Sequence, residues 1–455
     1  RRHRASVAVP DTSQSSYLIP PILRRLRCTA GGNGGGLFVA LVETFIYGFR
    51  CTDCTAGDNG GGAYLVDAWS SRMEDVFFTR AKAANQGGGI ALVAGVQTIV
   101  RYECHFCSAS AEVENPFSCG AGLSLNTASA LALEDAVIAD HQGCGISVFD
   151  GSQAIIRRSK FLRGDVMIGG GMMIAGGSAM IYDSLFDGND AGMGGGAFWA
   201  HLTSTVTIVN SEIKNNEAFM GPIFAVSIGA EVTMTGTHAH HNGPKRPSDM
   251  SAGMWGGIFV ANAKLTMRDG CKIEHNRGRY GGGVLVGAGS TLDAQGSYIG
   301  ENEAHMDGSQ IYLGDGSWFT AQQANIPDEG LADPKVRLFD MNVQHNCPKM
   351  RNMDNSEGWR TTTAFGYGPI RKYTDIMFNS ISPMMTCEDA DPPRICDRIL
   401  PFDTPLDIRN TRIALGPECD DPSNQYTIPD DMMEMMMQGR RLQYTAENDG
   451  ALGLP

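Results

Sequence analysis

Glycine clusters recur along this chain at a nearly constant interval, and that interval limits the folds open to it. Each cluster precedes a short apolar segment, as in NDAGMGGGAF at 189–198. Successive clusters are 26, 27, 33, 23, 26, 25, 27, 35, 25 and 27 residues apart. A fixed period of this length indicates a repeat array. The clusters begin at positions 34, 60, 87, 120, 143, 169, 194, 221, 256, 281 and 308.

Repetition also indicates what the glycines do. A single Gly-Gly-Gly would suit a flexible linker or a phosphate-binding loop, but no cluster is followed by Lys-Ser or Lys-Thr. Glycine accounts for 57 of 455 residues, well above the usual roughly 7%. Proline, at 20 residues, is unremarkable. This composition favours a fold with many tight turns over disorder.

The repeat unit consists of three β-prone segments of three to five residues, separated by Gly, Asn or Asp, as in 196–220 and 283–306. Segments this short are typical of strands, and about 26 residues divide into three strands and three turns. Leucine-rich repeats need a leucine framework that is absent here, and propeller blades need about 40 residues. The sequence therefore predicts an all-β solenoid, a parallel β-helix of about eleven coils.

An asparagine column supports this register. Asn recurs four to six residues before a glycine cluster, with an apolar residue three positions earlier. Stacked coils place equivalent positions about 4.8 Å apart, so inward amides can hydrogen-bond to one another and form a ladder. The pairs are Phe186/Asn189, Ile213/Asn216, Ile273/Asn276 and Ile299/Asn302.

The glycines are predicted to form the narrow corner of each coil. A side chain there would collide with the neighbouring coil or could not adopt the required backbone angles. At 143–145 the cluster reads Gly-Cys-Gly, so Cys144 stands at its centre, and we assign it no role. The glycines predicted to be structural are Gly35, Gly61, Gly88, Gly170, Gly195 and Gly282.

In the first coils the asparagine column is predicted to hold Cys28, Cys54, Ala81 and Cys107. Adjacent coils are close enough for a disulfide, so Cys28 and Cys54 are a candidate bridge. None of the 12 cysteines forms a complete zinc-site spacing with histidines. Their number favours disulfides and an oxidising compartment over a reduced interior.

The repeats resemble those of the polymorphic outer-membrane protein (Pmp) family, over about residues 28–320. That family carries a Gly-Gly-Ala-Ile-like element and a Phe-x-x-Asn element. The resemblance implies a right-handed parallel β-helix of the pectin-lyase-like superfamily and a role in surface adhesion. The matching residues are Gly194-Gly195-Gly196-Ala197, Phe186-Asp187-Gly188-Asn189 and Gly87-Gly88-Gly89-Ile90.

Three segments are predicted. Residues 1–27 form an N-terminal cap or tail, residues 28–320 form the β-helix, and residues 321–455 form an irregular C-terminal cap. That last segment contains most of the prolines and a Met-rich stretch, 429–442, predicted to be a helix. Two disulfides are expected to staple it, formed by Cys347, Cys387, Cys396 and Cys419.

Charge and hydropathy exclude some classes of partner. The formal net charge is −14, and no Lys/Arg stripe lies beyond the first 27 residues. Nucleic-acid binding by the β-helix is therefore not expected. No run of about 20 apolar residues could span a membrane. The chain starts with Arg rather than Met, which suggests a processed product or part of a longer chain. The expected location is extracellular or on the cell surface.

Two coils are longer than the rest, and both carry their extra residues between the asparagine column and the next glycines. The insertions lie at about 108–119 and 238–253. They should project from the same edge, about five coils or roughly 24 Å apart. Insertions on one edge of a solenoid commonly build a binding surface. Neutral surface variation is the alternative.

Enzymatic chemistry has weaker support. The Asn-Thr-Asp, Gly-His-Gly and Arg-Ile-Lys motifs of polygalacturonase-like enzymes are absent. Pectate-lyase-like chemistry needs carboxylates that hold calcium beside an Arg or Lys base. Such residues on exposed strands are more often a solvated face. The candidates at comparable coil positions are Asp183, Asp187, Glu212, Lys214, Glu274 and Arg277.

The densest histidine group, His238, His240 and His241, is placed in the second insertion. A zinc or copper site is conceivable there, but a solvent-exposed loop is the favoured interpretation. The leading hypothesis is a non-catalytic β-helix that serves as a stalk, adhesin or assembly subunit and binds glycans, surface proteins or copies of itself. The alternative is a carbohydrate-active enzyme. No catalytic residue, metal ligand or cofactor is assigned, although calcium is possible.

Overall fold

The computed structural model describes residues 28–41, 43–109, 120–244, 256–287, 290–300 and 302, together with the backbone of short strands nearer the two ends. Regular secondary structure in these residues is β-strand, without a helix. The strands pair in parallel with strands one coil away, over long sheets. This arrangement confirms the predicted parallel β-helix.

One face of the solenoid is a 12-stranded sheet that follows the glycine clusters, here called the glycine-side sheet. Eleven of its strands lie between residues 37 and 313 and delimit ten complete turns. The predicted number of about eleven coils agrees with this count. The strands are Leu37–Ala40, Ala63–Val66, Ile90–Val93, Leu123–Asn126, Ile146–Phe149, Met172–Ala175, Phe198–His201, Phe224–Ser227, Ile258–Ala261, Val284–Val286, Ile311–Leu313 and Ile376–Phe378.

The next face, the middle sheet, contains the second strand of each coil. Two of its strands, Ser71–Thr79 and Val96–His105, continue round the corner into the third face. The others are Tyr17–Leu18, Thr44–Tyr47, Ala130–Glu134, Gln153–Arg157, Ser178–Tyr182, Thr205–Val209, Glu231–Thr235, Lys264–Arg268, Thr291–Gln295, Trp318–Gln322, Val336–Phe339 and Leu406–Arg409.

The third face, the ladder-side sheet, immediately precedes the asparagine column. Its strands are Arg24–Leu26, Arg50–Thr52, Val137–Ala139, Lys160–Leu162, Leu185–Asp187, Glu212–Lys214, His238–His240, Lys272–Glu274 and Tyr298–Gly300, with Asn342–Gln344 and Arg412–Ala414 paired separately. Short strands return the chain to the next glycine cluster. They are Thr29–Ala30, Thr55–Ala56, Lys82–Ala83, Ser108–Ala109, Asp165–Ile168, Asp190–Gly194, Glu217–Met220, Arg277–Tyr280 and Glu303–Asp307.

Corners between faces are made by single residues in the left-handed backbone region. Between the middle and ladder-side strands of one coil lies Asn210, with φ of 48°, and after the ladder-side strand lies Asn215, with φ of 54°. Asn, Asp and Gly adopt this conformation at lower cost than other residues. The Asn and Asp punctuation of the repeats therefore has a backbone cause.

The core consists of inward side chains that stack from coil to coil. Phe161 and Phe186 lie parallel with ring centroids 4.7 Å apart, and Phe198 and Phe224 stack at 4.4 Å. All four are fully buried, and burial of such a side chain contributes about 2–3 kcal/mol. Stability is therefore distributed along the length of the solenoid.

Parallel strand pairing continues on both sides of residues 28–320, and the division of the chain into three segments stays a prediction. Arg24–Leu26 pairs with Arg50–Thr52, before residue 28, and Val336–Phe339 pairs with Trp318–Gln322, beyond residue 320. Leu406–Arg409 extends the same sheet. The four cysteines predicted to staple the C-terminal cap and the predicted Met-rich helix lie outside the described residues. The described part of the chain contains no helix with the length and hydropathy needed to cross a membrane.

Candidate functional site

The predicted corner glycines lie at two neighbouring positions of the same bend. Gly35, Gly61, Gly88 and Gly170 face the next coil, and a Cβ atom at any of them would collide with its backbone carbonyls. Gly195 precedes that position and has φ of +70°, and Gly282 follows the equivalent Gly281 in its coil. The glycine with positive φ and the glycine that faces the next coil are therefore adjacent residues of the same bend.

Three of the described coils carry another residue where the others have the close-packed glycine. Ala121, Cys144 and Pro222 occupy this position, as the pairing of the strands that follow them shows. Cys144 is buried and disulfide-bonded, and its Sγ accepts a hydrogen bond from Gly120 N. The cysteine that interrupts the glycine pattern thus has a crosslinking role that the sequence did not assign.

The asparagine ladder has five consecutive members, one more than the sequence indicated. Asn189, Asn216, Asn242, Asn276 and Asn302 are buried, and each amide Nδ2 donates to the Oδ1 of the next at 2.9–3.0 Å. Each Oδ1 also accepts from the preceding backbone N–H, at 3.0 Å. The missed member, Asn242, stands three positions after Ala239, a small residue that weakens the apolar-x-x-Asn signal.

The cysteines of the first coils do lie in this column, but the candidate Cys28–Cys54 bridge is wrong. Cys54 is bonded to Cys51 in the same coil, with Cα atoms 6.0 Å apart, and Cys28 is free. Cys104 and Cys107 form the same bridge two coils later. Between the two cysteines of each pair lies a residue with left-handed backbone angles, Asp53 in the first pair, and this residue makes the turn that brings the two cysteines together. The first cysteine of each bridge occupies the inward position that Phe186 occupies in a later coil, and the second occupies the position of Asn189.

Alkylation without reduction should therefore label Cys28 and leave Cys54 unlabelled. We expect peptide mapping of the denatured, oxidised protein to recover Cys51 linked to Cys54 and Cys104 linked to Cys107. Cys28 should be alkylated quantitatively in the same sample. A recovered Cys28–Cys54 peptide would contradict the pairing in the structure.

The sulfur atoms of Cys28, Cys51 and Cys54 lie within 4.8 Å of one another. Within the described residues this is the one group of three Cys, His, Asp or Glu side chains whose ligand atoms all converge at that distance. Thiolates, not disulfide sulfurs, are the usual metal ligands. The Cys51–Cys54 bond therefore leaves Cys28 as the one thiol of the group, and a metal would require reduction of that bond.

Between the cysteine and asparagine parts of the column stands His141, which is fully buried. Its Nδ1 lies 2.7 Å from Gly143 O, and its Nε2 has no protein partner. The next position in the column is Gly164, where a Cβ atom would collide with the imidazole. The ring thus fills space left by a glycine one coil away. Burial lowers the pKa of His141 to about 4.

This histidine should make stability depend on pH. Because its pKa is about 4 in the folded state and about 6.5 in the unfolded chain, the unfolded state binds more protons between these values. The contribution is complete above pH 6.5 and falls as pH decreases, by about 3 kcal/mol at pH 4. His141→Asn should flatten the dependence of the free energy of unfolding on pH, measured by urea titration.

The matched control is His105→Asn, at a half-exposed histidine of the ladder-side sheet. That variant should keep the steep decline below pH 6.5. If His141→Asn and the parent lost stability in parallel from pH 6.5 to 4, the buried imidazole would not be the cause.

The two predicted insertions flank one stretch of short strands. Of the predicted insertions, about 108–119 and 238–253, residues 110–119 and 245–253 lie outside the described residues, whereas Ser108–Ala109 and 238–244 are described. Between them is a three-stranded sheet of Asp165–Ile168, Asp190–Gly194 and Glu217–Met220. We call this sheet the inter-loop face. That both insertions project from this edge stays a prediction.

The inter-loop face combines acidic and apolar side chains. Asp165, Asp190 and Glu217 are paired in register and form an acidic row. Farther along the strands, Met167 is 55% exposed and Phe219 is 40% exposed. The two side chains lie two coils apart, with the strand Asp190–Gly194 between their strands. Exposed large apolar side chains grouped on one face are typical of an interaction surface.

Beside this face, the ladder-side sheet carries a charged strip on three consecutive strands. In register, Glu212, His238 and Lys272 form one row, and Lys214, His240 and Glu274 form the next. Lys214 Nζ lies 2.8 Å from Glu212 Oε1, and Lys272 Nζ lies 2.6 Å from Glu274 Oε1. His240 Nε2 and His238 Nε2 contact the same two carboxylates at 3.1 Å and 2.9 Å.

The structure thus brings three of the six residues considered for lyase chemistry, Glu212, Lys214 and Glu274, into the ion pairs of the strip, and Asp187 lies in register beside Lys214 on the neighbouring strand. Of the others, Asp187 accepts a hydrogen bond from Asn215 Nδ2 at 2.8 Å, and Asp183 lies in a left-handed corner. Arg277 lies on a short strand. The histidines of the strip are on a strand and its corner, and their placement in a loop was wrong.

The electrostatics of the strip favour ion pairing. The hydrogen bond from Lys214 lowers the pKa of Glu212, and the carboxylate in turn raises the pKa of Lys214. Lys272 and His238 likewise lower the pKa of Glu274 against the opposing effect of burial. A general acid needs a raised carboxyl pKa and a lysine base needs a lowered one, so these shifts run opposite to those of an acid–base pair.

Residues 89–243, about one third of the chain, match a family model described as a right handed beta helix region. No curated protein matches the chain, and no solved structure matches it. The matched residues span the coils that contain the cysteine bridge Cys104–Cys107, His141 and the first three ladder asparagines. The match and the parallel sheets together show that this protein is a right-handed parallel β-helix, consistent with the pectin-lyase-like superfamily.

Proposed function

We propose that this protein is a non-catalytic, extracellular or cell-surface β-helix that adheres to another protein through its inter-loop face. The observation that carries the proposal is the exposure of Met167 and Phe219 on the same three-stranded sheet. Methionine is adaptable at binding surfaces, and burial of each apolar side chain by a partner would contribute about 1–2 kcal/mol.

The surroundings of these residues fit an adhesive scaffold. The acidic row of Asp165, Asp190 and Glu217 would select a partner with basic groups, because complementary charge governs specificity and association rate. The coils below are held by the asparagine ladder and by stacked aromatics, so the face is presented on a rigid body. The bridges Cys51–Cys54 and Cys104–Cys107 suit an oxidising compartment.

Binding can be tested with the double variant Met167→Ser/Phe219→Ser. Immobilised protein would be crosslinked to proteins of its native surface, and its self-association would be measured by sedimentation. We expect the variant to lose at least 10-fold in affinity for the captured partner. The matched control is Leu202→Ser/Ile228→Ser, which removes two equally exposed apolar residues from corners on another edge. Equal binding by both double variants would contradict the proposal.

A carbohydrate-active enzyme is the second candidate, supported by Glu212, Lys214 and Glu274 on one face. The pKa shifts described above weigh against it, because they stabilise the ion-paired forms. The test is turnover of uronic-acid polymers with and without calcium. Turnover that is abolished by Glu212→Gln and Glu274→Gln would favour this candidate over adhesion.

A further inference from the structure

Four histidines lie together on two consecutive coils, at the end of the charged strip. His238 and His240 are on the strand His238–His240, with ring centroids 4.2 Å apart. His241 and His275 occupy the left-handed corner position of adjacent coils, both with φ of 55°, and their centroids are 5.2 Å apart. The cluster therefore depends on stacking, since His275 is 34 residues from His241 in the sequence.

We propose that His240, His241 and His275 form a binding site for a divalent transition-metal ion of the Zn²⁺ type. Imidazole nitrogen is a preferred ligand of zinc, copper and nickel. This site is independent of the adhesive function proposed above, because it lies on a different face and uses different residues.

The ring nitrogens of His240 and His241 are already close to the required geometry, and His275, whose ring lies beside His241, would have to rotate to bring the three ligand atoms together. His240 Nδ1 and His241 Nδ1 lie 2.7 Å apart. Two nitrogens bound to one tetrahedral zinc ion are about 3.4 Å apart, given Zn–N distances of about 2.1 Å. The two rings would therefore have to separate by less than about 1 Å. His241 and His275 are exposed, so rotation of their side chains does not disturb the core.

A carboxylate orients the central ligand. His240 Nε2 lies 3.1 Å from Glu212 Oε1, which is itself held by Lys214. A metal-binding histidine commonly donates its other ring N–H to a carboxylate, which fixes its tautomer and increases its basicity. With the proton on Nε2, the Nδ1 atom of His240 presents its lone pair toward His241.

The environment also keeps these rings in the form that binds metal. Burial and the neighbouring His238 and His241 lower the pKa of His240, and burial and His275 lower the pKa of His241. Neutral imidazole is the ligand.

Zinc binding by the oxidised, full-length chain tests the site directly. We expect isothermal titration with ZnCl₂ to show one ion per chain. His240→Asn/His241→Asn should weaken binding at least 10-fold, and His275→Asn several-fold. Glu212→Gln keeps all three ligands and should weaken binding about 10-fold, because such carboxylates commonly contribute 10- to 100-fold.

Two controls separate this site from others. His105→Asn alters the equivalent register position five coils away, where His105 lies 3.3 Å from Glu103 without a second histidine beside it, and should leave zinc binding unchanged. Cys28→Ser should also leave it unchanged and excludes the cysteine group. No zinc binding, or equal binding by His240→Asn/His241→Asn and the parent, would overturn the proposal. In that case the two Nδ1 atoms share a simple hydrogen bond.

Discussion

Replacing Gly195 with valine is expected to destabilise the folded protein by at least about 3 kcal/mol. Gly195 has φ of +70°, a backbone region that is strained for β-branched residues. A Cβ atom there would also lie 2.5 Å from Phe198 O and 2.7 Å from Phe198 C. Because these are backbone atoms of the same bend, the clash cannot be relieved by a side-chain rotation. The midpoint of urea unfolding, with circular dichroism as the readout, measures the effect.

Two neighbouring glycines separate the causes. Gly188→Val shares the φ of +70° but meets no atom nearer than Arg163 Cγ at 3.5 Å, so it should cost about 1–2 kcal/mol from backbone strain alone. Gly192 is exposed, and a Cβ atom there would have no neighbour within 3.9 Å. Gly192→Val should be almost neutral. Equal effects at Gly195 and Gly192 would mean that the bend behaves as a flexible linker.

The second large effect is expected in the asparagine ladder, where Asn216→Ala should cost about 3–5 kcal/mol. Asn216 Nδ2 donates to Phe186 O at 3.1 Å and to Asn242 Oδ1 at 2.9 Å. Its Oδ1 accepts from Asn189 N at 3.0 Å and from Asn189 Nδ2 at 2.9 Å. Each buried group left without a partner costs about 1–3 kcal/mol, partly offset where solvent or relaxation replaces the bond.

Asn126→Ala is the matched control for the ladder. Asn126 Nδ2 also donates two hydrogen bonds, to Gln86 Oε1 at 2.8 Å and to Ser124 Oγ at 2.9 Å. It is half-exposed on the outer face of the glycine-side sheet, so water can replace these bonds and the cost should be about 1 kcal/mol or less. Chemical denaturation of both variants gives the comparison. A similar loss at the two sites would argue that the ladder does not act as a buried network.

The corner glycines and ladder asparagines were predictable from the sequence because the requirements that they meet arise within a single coil. Glycine at the corner and Asn189 or Asn216 before it satisfy local backbone and amide requirements, and those requirements recur every coil. The apolar-x-x-Asn pattern did not identify Asn242, because the residue three positions earlier is Ala239, a small side chain that packs between Ile213 and Ile273. The ladder itself identifies it, since both neighbours bond to its amide.

The cysteine pairing and the histidine cluster were harder to predict for a different reason. Column assignment placed Cys28 and Cys54 one coil apart, a distance that a disulfide tolerates. The left-handed turn at Asp53 instead places Cys51 of the same coil beside Cys54. Sequence spacing alone does not distinguish the Cys51–Cys54 bridge from a Cys28–Cys54 bridge. His275 lies beside His241 only because their two coils stack, so no local sequence motif predicts the histidine cluster.

The sequence alone determined the architecture of this protein, because a β-helix repeats one set of short-range requirements every 26 or so residues and each repeat reports them again. Tertiary structure decided everything that depends on which side chains meet across coils. It selected the Cys51–Cys54 bridge, set the buried His141 over Gly164, and brought Glu212, His240 and His275 to one corner from three coils. Chemistry in such a fold is assembled between coils at a spacing of about 4.8 Å, and that spacing leaves no signature in any single repeat.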